Sequence, residues 1–336
     1  MKETSFKLSG RWQYQWRSVF TLYWSLCSAS VRRLLHGPRL PNWSWAFETS
    51  MYFLKTQAAA AFSLPDPADG REYEDALVFN SSAVAQVRID PVNLSVKGHW
   101  YQPKSGARHV TVLYLHGGGY AYYSKAHQNL IALITLAAKS QTFALDYRLI
   151  PEHPFPAQLE DALAAYRWLL ETGVAPERLV VAGDSAGGNL ALALLLSLRD
   201  AQLPLPALGI CLAPWTDLSN SGDSMTTNAT YDWIEKRMAD RWADWFCKNA
   251  NVGNPLISPI HADLKGLPPI YIQAGSAEIL HDMICSFADQ AEKQGANVRL
   301  DVWTNMTHDF QAFGNTTPES AEALQRIREV VEKYIA

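Results

Sequence analysis

The residue whose surroundings point most directly to chemistry is Ser185, which lies in the run Gly183–Gly188 (GDSAGG). This run follows a short apolar segment, Leu179–Ala182, and opens an Ala- and Leu-rich segment, Asn189–Leu198, typical of a helix. A G-x-S-x-G sequence between a strand and a helix places the serine on a tight turn, because glycines lack the Cβ atoms that would crowd it. The turn exposes the hydroxyl at a helix N-terminus, where developing negative charge is favoured. Ser185 is therefore predicted to be a nucleophile.

A second motif, His116–Tyr120 (HGGGY), follows the apolar segment Val110–Leu115. A glycine run at the end of a strand lets backbone N–H groups approach a reacting oxygen closely, as an oxyanion hole requires. The same run could cradle a phosphate, but it lacks the G-K-[ST] of a P-loop and the G-x-G-x-x-G of a dinucleotide fold. The predicted oxyanion donors are the backbone N–H groups of Gly117, Gly118, Gly119 and Ala186.

A nucleophilic serine needs a base, and the chain has nine histidines. Catalytic residues that accompany a G-x-S-x-G serine follow one another along the chain in the order serine, acid, histidine. The histidines that come after Ser185 are His261, His281 and His308. His308 lies in a loop between the segment Val298–Trp303 and the last predicted helix, where catalytic residues are often found. His281 falls inside a predicted helix, and no strand ends immediately before His261. His308 is therefore the predicted base.

Two carboxylates follow the apolar segment Ile270–Gln273 and could orient that histidine. Glu278 is nearer the end of the predicted strand, and Asp282 is one helical turn further on. Asp282 is expected to cap or pair locally. Glu278 is the preferred acid and Asp282 the alternative.

The elements that must position these residues are short apolar segments separated by helical patterns, which predicts a mostly parallel sheet flanked by helices. Two early segments, Ala83–Ile89 and Leu94–Tyr101, are predicted to be antiparallel strands. A helix is predicted over Gln158–Leu170, and the last helix begins with Thr317 as N-cap and Pro318 behind it. The remaining predicted strands are Val110–Leu115, Thr142–Leu145, Leu179–Ala182, Leu208–Leu212, Ile270–Gln273 and Val298–Trp303.

The composition of the 336 residues is that of a globular chain, with 48% apolar and 18% charged residues. The 29 Lys and Arg against 33 Asp and Glu give a formal net charge of −4, which argues against nucleic acid as a partner. The four cysteines are far apart and form no C-x-x-C motif, so neither a disulfide framework nor a metal site is expected.

Residues 1–60 hold twelve aromatic residues, and Tyr231–Phe246 is a second aromatic segment with helical spacing. Each alone predicts a helix with a core-facing stripe; together they predict a cap over one end of the sheet. Ser18–Val31 is a charge-free stretch of fourteen residues, shorter than the about 20 that a membrane span needs. A signal peptide remains an alternative for this region, although its leader would be long and contain Glu3.

His116–Tyr120 and Gly183–Gly188, in this order, resemble the hormone-sensitive-lipase-like family of α/β-hydrolases, which includes bacterial carboxylesterases. The intervening run Asp146–Ala157 (DYRLIPEHPFPA) also looks like that family. The resemblance covers nearly all of residues 70–336. It implies an eight-stranded sheet, a cap built from the amino-terminus and an insertion, and ester hydrolysis without a cofactor. By resemblance Ser185 is the nucleophile, His308 the base, and Gly118, Gly119 and Ala186 the usual oxyanion donors.

The acid departs from the family pattern, because many members have Asp-Pro-Leu where this chain has Glu278-Ile279-Leu280. Glu resembles the acid of one branch, and Trp43–Trp45 looks like the amino-terminal cap of that branch.

The expected domains are a cap segment over residues 1–66, a catalytic domain over 67–218 and 256–336, and a cap insertion over 219–255. The expected function is a serine carboxylesterase acting on short-to-medium acyl esters. Its activity is expected to rise with pH as His308 loses its proton, at roughly pH 6.5–7 from the reference pKa. The alternatives are a lactone hydrolase on the same residues or a non-catalytic small-molecule receptor. The expected partner is a small ester, without nucleic acid or stable membrane insertion and with a homodimer left open. The expected compartment is the cytoplasm, with secretion as the alternative.

Overall fold

The computed structural model describes residues 6–335. The strands are β1 (Phe6–Leu8), β2 (Leu77–Phe79), β3 (Val87–Asn93), β4 (Lys97–Pro103), β5 (Thr111–Leu115), β6 (Gln141–Leu145), β7 (Leu179–Asp184), β8 (Leu208–Leu212), β9 (Ile270–Gly275) and β10 (Val298–Trp303). The α-helices are α1 (Trp12–His36), α2 (Trp45–Phe62), α3 (Pro67–Glu74), α4 (His127–Ala138), α5 (Ala157–Glu171), α6 (Ala186–Asp200), α7 (Ser224–Thr227), α8 (Lys236–Cys247), α9 (His281–Lys293) and α10 (Pro318–Tyr334).

The central sheet has eight strands in the spatial order β10-β9-β8-β7-β5-β6-β4-β3. Neighbours from β10 to β6 are parallel, whereas β4 runs antiparallel to both β6 and β3. Every residue of β5, β7, β8 and β9 is buried, as expected for a sheet covered on both faces. Apolar side chains of α5, α6 and α9 pack in the core on one face and those of α4 and α10 on the other. The predicted α/β fold with a mostly parallel eight-stranded sheet is confirmed.

The strand boundaries agree closely with the predicted segments from β5 onwards, but the two antiparallel strands begin later than expected. Residues 84–86 form a 3₁₀ turn instead of a strand, because the Ser81 hydroxyl accepts hydrogen bonds from the backbone N–H groups of Ala83 and Val84. Leu94 lies in the hairpin turn, where its N–H donates to the carbonyl of Val96. Local turns therefore displaced both predicted strand starts.

The two aromatic segments orient their rings differently. Helix α8 buries Met238, Trp242 and Phe246, as the core-facing stripe predicts. Helix α1 does the opposite: it buries Tyr14 and a stripe of small or polar residues, while most of its aromatic rings are exposed. The core-facing expectation is therefore wrong for α1, because α1 packs on its neighbours through small residues that allow close approach. No helix among residues 6–335 is long and apolar enough to cross a membrane.

Candidate active site

Ser185 lies on a sharp turn between β7 and α6, with φ 53° and ψ −119°. This conformation is unusual for a residue with a side chain, and it is held from both sides of the turn. The N–H of Ser185 donates to the carbonyl of Leu212 (2.8 Å), and the carbonyl of Ser185 accepts from the N–H of Trp215 (3.1 Å). The end of β8 thus fixes the position of the serine.

The two outer glycines of the G-x-S-x-G motif are required by close backbone approach. A Cβ atom on Gly183 would lie 2.3 Å from the carbonyl oxygen of Gly187. A Cβ on Gly187 would lie 2.0 Å from the carbonyl oxygen of Leu115, at the end of β5. Neither distance is sterically possible, so the turn can form only with glycine at both positions.

The glycine run after β5 adopts the left-handed conformations that its sequence permits. Gly118 has φ 95° and Gly119 has φ 60°, and a Cβ on Gly118 would lie 2.2 Å from the carbonyl oxygen of Tyr122. The backbone N–H groups of four residues donate no hydrogen bond to any acceptor among residues 6–335: Gly117, Gly118, Gly119 and Ala186. These donors are therefore available to an oxyanion.

His116, the first residue of that motif, is a structural support rather than a base. Its ring is stacked between those of Tyr123 and Tyr147, with centroids 3.9 Å and 4.1 Å away. Burial and the neighbouring His127 hold the pKa of His116 well below its usual range. The ring stays neutral, so it adds no positive charge beside the glycine run.

Glu278 and His308 meet beyond the ends of β9 and β10. Oε2 of Glu278 lies 3.1 Å from Nδ1 of His308, and both side chains are fully buried. The other carboxylate oxygen, Oε1, accepts a hydrogen bond from the N–H of Gly275 (3.2 Å). Burial raises the pKa of Glu278, and the hydrogen bond from His308 offsets part of that rise. This geometry holds the imidazole in the tautomer that carries its proton on Nδ1.

The alternative acid, Asp282, is placed elsewhere. Its carboxylate accepts a hydrogen bond from the N–H of Ser224 (2.8 Å) at the start of α7. The Ser224 hydroxyl in turn accepts from the N–H of Asp282 (3.1 Å). Asp282 therefore pairs locally with a neighbouring segment, and of the two candidates only Glu278 contacts His308.

The other ring nitrogen, His308 Nε2, faces an acid that the sequence analysis did not consider. Oδ2 of Asp309 lies 3.3 Å from Nε2. Nε2 makes no hydrogen bond to any of the described residues, so it is not hydrogen-bonded to the Ser185 hydroxyl. Asp309 has a left-handed backbone, with φ 52°. Burial by itself lowers the pKa of His308, but Asp309, Glu278 and Asp232 together raise it to about 10. In this conformation His308 favours its charged form.

A second overlooked acid, Asp232, holds the loops that carry Glu278 and His308. Its carboxylate accepts hydrogen bonds from the backbone N–H groups of Ile279 (2.8 Å), Trp233 (2.8 Å) and His308 (3.3 Å). Asp232 precedes α8 in the segment expected to form part of the cap, and no motif in the sequence marks it. It is a positioning residue that joins this segment to the loops of Glu278 and His308.

The arrangement can perform acyl transfer, since a hydroxyl on a strained turn, an imidazole–carboxylate pair and free backbone donors lie at one edge of the sheet. This edge is formed by the carboxyl ends of β5, β7, β9 and β10. Within residues 6–335, no group of three or more His, Cys, Asp or Glu side chains could hold a metal ion.

Comparison with known proteins shows that the chain is similar to hydrolases with this fold. The model of a family with the α/β-hydrolase fold matches residues 112–312. An acetyl-hydrolase of Streptomyces hygroscopicus is 42% identical over 251 residues, which cover 72% of this chain and 83% of the relative. An esterase of Acinetobacter venetianus is 32% identical over 247 residues, covering 72% of this chain and 81% of the relative.

Solved structures show the same likeness. An esterase from the bacterial hormone-sensitive lipase family superposes with a TM-score of 0.75 at 35% identity, covering 85% of this chain and 98% of its own. A hormone-sensitive lipase from a metagenome library gives a TM-score of 0.74 at 31% identity, covering 84% of this chain and 97% of its own. With its glycine run, its serine turn and this sheet, the chain belongs to the hormone-sensitive-lipase-like family of α/β-hydrolases.

Proposed function

We propose that Ser185, His308 and Glu278 are the nucleophile, base and orienting acid of a serine carboxylesterase. As a member of its family the chain is a carboxylic ester hydrolase, and the proposal assigns that chemistry to residues. The observation that carries it is the buried contact of Glu278 with His308 Nδ1 at the sheet edge where Ser185 stands on its strained turn. A receptor that only binds its ligand would need neither the strained serine nor the paired imidazole.

The reaction proceeds through an acyl-enzyme. Nε2 of His308 takes the proton of Ser185 as Oγ attacks the ester carbonyl carbon, and the N–H groups of Gly117–Gly119 and Ala186 stabilise the oxyanion. Glu278 keeps the Nδ1 proton in place and stabilises the imidazolium. His308 then protonates the leaving alcohol, and a water molecule repeats the sequence to release the acid.

His308 Nε2 must move from Asp309 to the Ser185 hydroxyl for this to happen. Catalytic hydrogen bonds are often long without substrate and tighten when substrate binds. The proposed mechanism needs a rotation of the imidazole about its Glu278 contact, with loss of the proton on Nε2, so that Nε2 can accept the proton of the Ser185 hydroxyl. The proposal therefore requires a neutral imidazole. Because the pKa of His308 is raised, it also predicts that the imidazole becomes neutral at a higher pH than an ordinary histidine.

The cap accounts for the proposed preference for short-to-medium acyl groups. We assign residues 1–66, described from residue 6, and 219–255 to the cap, and 67–218 with 256–336 to the catalytic domain. The ring of Phe62 in α2 lies edge-on to Trp242 in α8, with centroids 6.1 Å apart. A Cβ on Gly119 would lie 2.3 Å from the Trp242 ring, so this ring closes the space above the proposed oxyanion donors.

Ser185→Ala tests the proposal directly. We expect it to lower kcat/KM on p-nitrophenyl butyrate by several orders of magnitude, up to the ~10⁶-fold loss seen for nucleophile removal in a related mechanism. It should also abolish covalent labelling by a fluorophosphonate, measured as a mass shift of the intact protein. Ser197→Ala, on the same helix α6, is the matched control and should keep both properties. Near-normal turnover by Ser185→Ala would end the proposal, and a panel of lactones run alongside separates ester from lactone preference.

A further inference from the structure

Helix α1 presents a continuous apolar face to solvent. Trp12, Trp16, Phe20 and Trp24 recur at the four-residue spacing that puts side chains on one side of a helix, and each exposes between 60% and 72% of its surface. This surface, here called the aromatic face, consists of Trp12, Trp16, Phe20, Tyr23, Trp24, Val31, Leu34 and Leu35.

Apart from Tyr14, the packed side of the same helix is small and polar. Ser18, Thr21, Ser25 and Ala29 are buried, and the Ser18 hydroxyl accepts a hydrogen bond from Gln57 Nε2 of α2 (2.9 Å). An ordinary surface helix has the reverse arrangement, with its apolar stripe inside. Small residues between helices and large apolar residues outside are the pattern of helices that face lipid. The distribution of apolar and polar residues around α1 thus suits a helix whose exposed side faces an apolar environment.

The charge of this segment is wholly positive. Between Glu3 and Glu48 the chain has no acidic residue, and its charged residues there are Lys7, Arg11, Arg17, Arg32, Arg33 and Arg39. Some of these cations are paired with acids from other segments, as Arg11 is with Asp69 and Glu72. Arg32 and Arg33, however, share the single buried carboxylate of Glu48 (2.9 Å and 3.1 Å), which leaves one positive charge in excess. The segment therefore attracts an anionic surface.

Apolar and basic features meet in a shallow groove near the end of α1. It has a volume of about 420 Å³ and is lined by Trp24, Cys27, Ser28, Val31, Arg32, Leu35 and His36. An apolar floor beside basic groups suits a molecule that joins a hydrocarbon chain to an anionic group.

We propose that the aromatic face of α1 docks on an anionic phospholipid surface, with the helix lying in the interface plane. Trp and Tyr prefer the headgroup level of a bilayer, and basic residues add attraction to anionic lipids. A second copy of the chain fits the face less well. Two copies of α1, paired in either direction, would bring only positive charges together.

The docked face is structurally linked to the candidate active site. Helix α1 packs on α2, and Met51 of α2 accepts a hydrogen bond from the hydroxyl of Thr307 (3.2 Å), the residue before His308. Docking through α1 therefore places the loop of the proposed base one helix away from the lipid surface.

The test measures binding of the full chain to lipid vesicles by co-sedimentation, which is independent of catalysis. The probes are vesicles of equal parts phosphatidylglycerol and phosphatidylcholine, and vesicles of phosphatidylcholine alone. We expect binding to the anionic vesicles, weakened by high salt, and weaker binding to the neutral ones. Trp16→Gln/Phe20→Gln/Trp24→Gln should lower the partition coefficient at least ~10-fold, because each ring withdraws about 150–250 Å² from water. Leu94→Gln/Val252→Gln removes exposed apolar residues elsewhere and should bind like the wild type.

Quenching of tryptophan fluorescence by brominated phospholipid gives a second measurement on the wild-type chain, and we expect stronger quenching with anionic than with neutral vesicles. All variants should hydrolyse p-nitrophenyl acetate alike, which shows that they are folded. Absence of wild-type binding, or equal binding by the triple variant, would overturn the proposal. So would a dimer in sedimentation equilibrium that the triple variant abolishes, because the face would then be covered by a second copy.

Discussion

The imidazole of His308 is surrounded by three carboxylates, two of them fully buried (Glu278 and Asp232), which act on it in different ways. Glu278 contacts Nδ1 and Asp309 contacts Nε2, whereas Asp232 binds the backbone N–H. All three favour the imidazolium, and Asp309 contacts Nε2, the nitrogen that accepts the serine proton in the proposed mechanism. Asp309 is therefore the residue that most directly opposes the neutral form of the proposed base.

This environment changes the expected pH dependence. The proposed mechanism requires neutral His308. A raised pKa means that the proton is lost only at higher pH, so kcat/KM should rise with pH through a midpoint above the reference value of about 6.5. Asp309→Asn removes one carboxylate and should move that midpoint to lower pH. The measurement is kcat/KM on p-nitrophenyl butyrate from roughly pH 5 to 10. Asp289→Asn, an exposed acid on α9, should leave the profile unchanged, and an unmoved midpoint in Asp309→Asn would contradict this assignment.

At the scale of elements, the site depends on how closely β5, β7 and α6 approach one another. Because Gly183 has no Cβ, its backbone packs against that of Gly187 within the serine turn. Because Gly187 has none, its backbone packs against Leu115 at the end of β5. The strained φ of Ser185 persists because β8 binds the turn through the Leu212 carbonyl. The strained turn at Ser185 therefore depends on the packing of the strands around it.

Gly187→Ala should consequently destabilise the whole domain. Its Cβ would lie 2.0 Å from the Leu115 carbonyl oxygen, and neither backbone can move without breaking strand pairing. We expect a loss of about 3 kcal/mol or more in the free energy of unfolding, at the upper end of overpacking costs, measured by urea denaturation. Gly253→Ala is the matched control: it has ordinary contacts, the nearest at 3.5 Å, and should change stability by less than about 0.5 kcal/mol. Equal stability of the two variants would show that the turn relaxes easily.

At the scale of the molecule, aromatic residues from distant segments enclose the carboxyl edge of the sheet. Trp242 of α8 lies near Phe62 and Tyr122, with ring centroids 6.1 Å and 6.0 Å away. Trp43 and Phe47 pack with Met306 and Phe310, on either side of His308. The segments of the proposed cap and the sheet edge therefore share apolar contacts.

Trp242→Ala should widen the space above Gly119 and change the preferred acyl length. We expect the ratio of kcat/KM on p-nitrophenyl octanoate to that on the acetate to rise at least ~10-fold, since pocket methylenes contribute about 1–3 kcal/mol each. Trp245→Ala, on the same helix and with its ring beside Arg241 (5.7 Å), should leave the ratio near its wild-type value. A similar change in both variants would indicate a general loosening of the cap instead of a pocket at Trp242.

The sequence alone was sufficient for the fold class and the parallel strands, and it predicted candidate site residues at the ends of strands. These features are local: a glycine pattern determines a turn, and a short apolar run between turns predicts a buried strand. The preference for Glu278 over Asp282 also came from local spacing, and of these two acids Glu278 is the one that contacts His308 in the structure. The predicted strand starts at Ala83 and Leu94 were wrong because a turn forms at each, one held by the Ser81 hydroxyl and the other by the hydrogen bond from Leu94 to Val96.

Only the tertiary structure decided which groups meet across the chain and which face of a helix is covered. Asp232 reaches His308 from another segment, and no spacing rule relates the two residues. In α1 both an aromatic stripe and a small-residue stripe have helical period, so periodicity could not tell which one would be buried. The packing against α2 made that choice, because closely packed helices admit Ser18, Thr21 and Ser25 at their contact and leave the large rings outside.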